Sequence, residues 1–320
     1  MTQLMLALLL GTVQPSGEVT QLLVVTGLSG EPSYAAMLTS LGRSMVAAAR
    51  ERWGLADSNI IYLAEQHAPA AGTTGRSDRD GVIAAVSRLA ASGGGNGVVV
   101  VLLAGHGSEQ AGVAQLNLPG PDLTAPDLAL ALQAFGRRRV VVVNAASASG
   151  GFLGPLASPS RIVITATKTG TERNATRFGE FFVKALTSDE ADADKNGRIS
   201  LAEAYRYARQ EVIRSYQSAR RLLTEHSQID DNGSGTGSAE LAGAGGRAAA
   251  ISVPLKVEEQ STDPRGAQLL AERRGLEAAI AELRGRKAAT DSVAYERELE
   301  RLVVALAETN QRIRAVRGSP

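Results

Sequence analysis

His106, set between Gly105 and Gly107, and Ser147, in the stretch Ala146-Ser147-Ala148-Ser149-Gly150, are of types that can do acyl chemistry together. A nucleophile and its base need mutual hydrogen-bond reach before anything else. Each of the two comes just after an unbroken apolar run, residues 98–103 (VVVVLL) and residues 140–143 (VVVV). Such runs, β-branched and without alternation, suit strands buried on both faces of a parallel sheet. Residues just past the carboxyl end of a strand in such a sheet line the binding crevice. If the two strands are neighbours, His106 and residues 147–149 face each other across one cleft.

The elements that would position them are legible nearby. Further strand-like runs lie at residues 22–26, 60–63 and 162–165, and helical patterns at 33–53, 78–91 and 124–135, the last opening on Thr124 as N-cap before Pro126. Residues 115–119 add a short hairpin after the histidine turn. Strand and helix alternate to residue 187, which predicts an α/β fold, a parallel sheet with helices on both faces.

The two turns, in this order, resemble the caspase and legumain clan of cysteine peptidases. In that clan one strand ends in His-Gly, the adjacent strand ends in Cys-x-Ser-Gly, and the two lie side by side. Ala104-Gly105-His106-Gly107 matches the first turn, and Ser147-Ala148-Ser149-Gly150-Gly151-Phe152 matches the second. Residues 163–167 with Glu172 resemble the strand that walls the specificity pocket of legumain-like enzymes. The resemblance covers residues 20–230. It implies a caspase-like parallel-sheet core, His106 and Ser147 as the catalytic pair, an oxyanion hole from the backbone N–H groups of Gly107 and Ser147, a substrate pocket shaped by Thr165, Thr167 and Glu172, and a protein or peptide ligand.

The departure from the family is chemical. Where the clan has its cysteine this chain has Ser147, and the sequence contains no cysteine. A thiol titrates near pH ~8.5 and an alkanol many units higher, so a histidine that suffices for sulfur activates oxygen poorly. Serine enzymes compensate with an orienting carboxylate and an oxyanion hole. No carboxylate stands where sequence alone marks it as partner of His106; Glu109 is near but on the following loop. Ser147 admits three readings. The favoured one is a catalytically impaired peptidase homologue, a pseudoenzyme kept as a binding module. The alternatives are an active peptidase or hydrolase using a Ser147–His106 dyad, and an unrelated α/β fold in which the serines merely end a strand.

Residues 192–203 (DADKNGRISLAE) fit the EF-hand calcium loop. Asp192, Asp194 and Asn196 stand at the side-chain ligand positions, Gly197 at the sharp turn, Arg198 where the loop offers a carbonyl, and Glu203 at the closing bidentate position. Helical patterns at 174–186 and 200–216 flank it, so Ca2+ is the expected cofactor. Residues 230–235 (DDNGSG) lack a closing glutamate and read as a turn rather than a second cation site. His226 reads as a structural or capping residue, since no second histidine lies at ligand spacing. His67, in a loop rich in Pro and Ala, carries no assignment.

Composition bounds the remainder. Lys and Arg total 34 against 33 for Asp and Glu, so no global charge points to nucleic acid. No stretch approaches the ~20 apolar residues of a membrane span. Residues 4–10 (LMLALLL) have the apolar centre of a signal peptide without its basic flank or cleavage site, so residues 1–18 are a signal segment or an N-terminal extension, with an extracytoplasmic location slightly favoured. Residues 19–231 form the α/β domain, and residues 232–264 a Gly-rich linker and loop. Residues 265–316 are expected to form an antiparallel helical hairpin, with Leu269, Leu276, Ile280 and Leu283 facing Tyr295, Leu299, Leu302, Leu306 and Ile313, and with i,i+4 pairs Glu282–Arg286 and Glu308–Arg312 outside. That pattern fits packing on its own domain or self-association better than a dedicated partner site.

Overall fold

The computed structural model describes residues 19–92, 97–241, 246–255, 263–285 and 291–317. The leading 18 residues and the turn between the tail helices lie outside them. In chain order the elements are β1 (Val19–Thr26), α1 (Pro32–Glu51), β2 (Ile60–Ala64), β3 (Gly75–Arg76), α2 (Arg79–Ala91), β4 (Val98–Ala104), β5 (Gly107–Gln110), β6 (Val113–Leu116), β7 (Leu123–Thr124), α3 (Ala125–Ala131), β8 (Val140–Asn144), α4 (Leu153–Leu156), β9 (Arg161–Thr165), α5 (Phe178–Thr187), β10 (Arg198–Ser200), α6 (Leu201–Ser218), β11 (Gln228–Asp230), α7 (Gly246–Ala249), β12 (Ser252–Pro254), α8 (Pro264–Gly285) and α9 (Ser292–Arg317).

The main sheet has the order β11-β9-β8-β4-β1-β2-β3. Its pairings are parallel except at the edge, where β11 runs antiparallel to β9. Buried on both sides, the central strands split their residues between two cores. Val98, Val100 and Leu102 of β4 join Leu22 and Val24 of β1 and Val141 and Val143 of β8 in one core, covered by α1, α5 and α6. Val99, Val101 and Leu103 join Leu23, Val25, Val140 and Val142 in the other, under α2, α3 and α4. The fold is therefore the expected parallel α/β sheet with helices on both faces.

Local chemistry sets the element ends. Thr124 caps α3 in a full capping box with Asp127, and Asp78 caps α2 through the Gly81 N–H. The hairpin after the histidine turn is larger than the sequence suggests. β5, β6 and β7 form a separate three-stranded antiparallel sheet.

Within residues 232–264, the described segments 232–241 and 246–255 are held on the α/β domain; residues 242–245 and 256–262 lie outside the described residues. Ala248 of α7, Ile251 and Val253 are buried in the core that contains α6, and β12 pairs antiparallel with β10. Upstream of α7, the buried Tyr205 hydroxyl lies 3.0–3.3 Å from the carbonyls of Ser227, Ser238 and Ala239, tying that loop to α6.

The tail forms the expected helical pair. Ile280 and Leu283 of α8 pack with Tyr295 and Leu302 of α9, and farther along Leu269 and Leu270 pack with Ile313. Arg312 pairs with Glu272 across the hairpin, not with Glu308 along its own helix. The Glu282–Arg286 pair falls outside the described side chains. Among the described residues no helix is long and apolar enough to cross a membrane.

Candidate functional site

β4 and β8 are adjacent, with Leu103 opposite Asn144, so the turns bearing His106 and Ser147 leave neighbouring strand ends. The histidine turn is built from close backbone approaches. Gly105 has φ +142 and lies against Gly27, where a methyl would meet the Gly27 Cα and N at 3.2 Å. Gly27 donates its N–H to the Ala104 carbonyl at 2.8 Å, and Asn117 donates to the His106 carbonyl at 2.9 Å. The half-buried His106 ring stacks on Tyr34, which stands at the start of α1, with centroids 4.4 Å apart.

Ser147 is 1% exposed. Its Oγ accepts the Gly107 N–H at 3.0 Å and donates to the Gly107 carbonyl at 3.2 Å. One hydroxyl thus closes a ring of two hydrogen bonds on one glycine. Among the described residues no hydrogen bond joins the His106 ring to Ser147 Oγ, and none joins it to a carboxylate. The Gly107 N–H, expected to serve an oxyanion hole, is aimed at Ser147 itself. Ala148, the next residue, is in the left-handed region at φ +53, a conformation that a non-glycine residue holds only under surrounding constraint. Part of that constraint is the bond from its N–H to the Glu172 carbonyl at 2.8 Å.

Of the expected pocket residues, Thr165 and Thr167 are fully buried, and their hydroxyls are engaged internally. Thr165 Oγ1 donates to the Thr167 carbonyl, and Thr167 Oγ1 accepts from Gly150 N–H and bonds to Ser149 Oγ. They brace the turn after β8 from below. Glu172 lies higher. Its carboxylate accepts the His226 N–H at 3.0 Å and meets His226 Nδ1 at 3.2 Å, so the histidine caps a loop, as its isolation in sequence suggested.

Sequence reasoning missed Glu225. Its side chain, 3% exposed, accepts the N–H groups of Arg177 and Phe178 at 2.7–3.0 Å at the head of α5. Burial pushes this carboxyl up to about 7, against the pull of those backbone donors and of the Arg177 charge. Tyr34 is likewise pushed up to about 12, first by burial and then by the nearby Glu225 charge. A carboxyl raised on folding lowers stability once it ionises. This contribution is absent below the ordinary value of 4.5, grows as pH rises towards 7, and is complete above it. Glu225→Gln keeps the acceptor and removes the charge. Melting curves between pH 5 and 8 should therefore fall less steeply for the variant, with a relative gain on the order of 3 kcal/mol at pH 8. Parallel pH profiles would show that Glu225 carries no such cost.

In the 192–203 loop, carboxylate oxygens of Asp192, Asp194 and Glu203 lie within 4.8 Å of one another. Asp192 is 5% exposed, and its two oxygens accept the N–H groups of Asn196 and Gly197. Gly197 makes the turn at φ +79. Glu203 serves both the Ser200 capping box and the Ala193 N–H. Burial, then the charges of Glu203 and Asp192, raise Asp194. This donor set is all hard oxygen, crowded and negative, which suits a divalent cation such as Ca2+. The 230–235 segment is a turn in which the buried Asp230 carboxylate takes the N–H groups of Asn232, Gly233, Ser234 and Gly235.

A cleft of about 630 Å3 opens near the ends of β1, β2 and β3 and beside the β6–β7 turn, lined by Leu28, Glu65, His67, Arg76, Leu118 and Asp122 among others. Glu65 is engaged by the N–H and hydroxyl of Ser29, and Asp122 by Leu118 N–H and Gln115. Among the described residues Arg76 has no ion-pair partner.

No protein-family model matches the sequence, and no curated protein does. Among solved structures, caspase-1 from Spodoptera frugiperda is similar with a TM-score of 0.43 and 9% identity, over 68% of this chain and 87% of that one. At that score the architecture stands on its own strand order and turns.

Proposed function

We propose that this chain is a peptidase-like protein of the caspase and legumain kind, catalytically impaired at Ser147 and working as a calcium-stabilised module that binds a protein or peptide. The observation that carries this reading is the pair of hydrogen bonds by which Ser147 Oγ accepts from the N–H of Gly107 and donates to its carbonyl. A nucleophile must give its proton to a base, and this proton is directed at a backbone carbonyl instead. The cleft is compatible with the binding role, since it is lined by charged groups and, among the described residues, Arg76 there has no ion-pair partner. Asp192, Asp194, Asn196, the Arg198 carbonyl and Glu203 would hold the ion, and its charge would offset the repulsion among the three carboxylates.

A second reading, a serine hydrolase on the Ser147–His106 dyad, draws on the adjacency of the two turns and on the half-buried ring of His106. A fluorophosphonate probe separates the two. We expect no labelling of the natural protein. Ser147→Cys, in contrast, should be alkylated by thiol-directed electrophiles at a rate above that of an ordinary thiol, because the turns are intact. Labelling of the natural protein that vanishes in both Ser147→Ala and His106→Ala would establish a serine enzyme and overturn the impaired reading.

A further inference from the structure

We infer that Glu225 is the positioning residue of the wall beside Ser147, holding residues 166–177 against the turn after β8 and loosening part of that hold when it gives up its proton. This holds whether or not Ser147 is catalytic and whether or not the 192–203 loop binds an ion. The first residues of the wall are tied to the turn through Ala166 and Thr167, and its later part has anchors of its own. Its Glu172 carbonyl takes the Ala148 N–H, its Thr176 hydroxyl bonds the Ala145 carbonyl at 2.5 Å, and its end at Arg177 and Phe178 is bound to Glu225. The neighbouring His226 grips Glu172 from the same segment. Residues 225 and 226 therefore hold the wall at two points, on both sides of its contact with residues 145–148.

The carboxylate is suited to a weak hold that can change. Ionised, it meets the positive end of α5 with charge-assisted bonds, about twice as strong as neutral ones. Burial outweighs that gain and pushes the carboxyl up to about 7, so the buried arrangement favours the protonated form and ionisation works against it. The titratable and charged groups facing it are Tyr34 from α1, Glu172 from the wall, Arg177 at the head of α5 and His226 beside it. Among the described residues no cationic side chain makes an ion pair with it; burial and the Glu172 charge push the carboxyl up to about 7 against the two backbone donors and the Arg177 charge. Tyr34 carries the change further, since it senses the Glu225 charge and stacks on His106.

The test is a pH titration of the full-length, isotopically labelled protein by NMR from pH 5.5 to 8.5, tracking the Glu225 side-chain carboxyl carbon and the amides of Arg177, Phe178 and Ala148. A shared inflection near 7 is expected in the natural protein and in His226→Asn, and flat amide profiles in Glu225→Gln. The carboxyl signal needs no substitution, so the test survives a variant that fails to fold. The inference is overturned if the Glu225 carboxyl does not titrate in this range. It is equally overturned if Arg177 and Phe178 respond while Ala148 does not, since Glu225 would then only cap α5. An Ala148 inflection that persists in Glu225→Gln and disappears in His226→Asn would overturn it as well, by assigning the effect to the histidine.

Discussion

Gly107→Ala is expected to destabilise the protein on the order of 3 kcal/mol, the upper end of the usual cost of overpacking, and to lower the melting temperature by about 6–12 °C. A methyl at Gly107 would stand 2.3 Å from the Ser147 carbonyl oxygen and 3.0 Å from that of Gln115. Both obstacles are backbone, and neither can rotate away. The Ser147 carbonyl is fixed between the end of β8 and the left-handed Ala148, and Gln115 is paired to β5 through the β6 ladder. Ser147→Ala makes the comparison informative. It removes the two hydrogen bonds to Gly107 without adding atoms, and should cost only about 1–2 kcal/mol. The glycine that flanks the histidine is thus a steric requirement of the contact between the two turns, independent of any role for its N–H in catalysis. Thermal melts of the two variants decide the matter. A Gly107→Ala protein that melts with its parent would show that the two turns are not in the close contact described.

What the sequence reveals depends on whether a signal is local. The runs at β4 and β8 are legible because a strand buried on both faces has no choice but to be apolar throughout, and the adjacency of His106 and Ser147 comes from the order of those runs. The cap at Thr124 is equally local. The strands β3, β11 and β12, two or three residues each, carry no pattern of their own. They exist because a neighbouring edge offers unpaired backbone groups, which no window of sequence shows. Glu225 reads as one acid among several in a loop, and only the packing of α5 against its carboxylate 47 residues away makes it distinct. Ala148 is the sharpest omission. Nothing about an alanine announces a positive φ, which here is imposed by the bonds on either side of it. The same limit governs the site's chemistry. Residue types at the right spacing indicated a nucleophile and a base, while the engagement of Ser147 Oγ by Gly107 depends on the last ångström of the turn.

Adding calcium to the metal-free protein is expected to raise its melting temperature by about 5–10 °C, since a ligand at 100 times its dissociation constant contributes ~2.7 kcal/mol to a chain of this size. Without an ion, Asp192, Asp194 and Glu203 place like charges within 4.8 Å, offset by backbone N–H groups, the Asn196 side-chain amide and the Ser200 cap. Immediately after the loop's turn, β10 pairs with β12, and Ile199 and Val253 are both buried in the core beneath α6. The pairing gives this single loop a strand partner that the sequence did not reveal, and it connects the loop to residues 246–255. Relief of the charge repulsion should therefore be felt as cooperative stability of the domain rather than as local ordering. Asp192→Ala and Glu203→Gln should each abolish the shift. The first also loses the acceptors of Asn196 and Gly197 and should melt lower than its parent even without calcium, whereas Glu203→Gln keeps an acceptor for the cap. Calorimetric titration provides the independent readout, with one binding event in the natural protein and none in either variant. Binding that survives in both, or a melting temperature indifferent to calcium in the natural protein, would reduce the loop to a turn that caps α6.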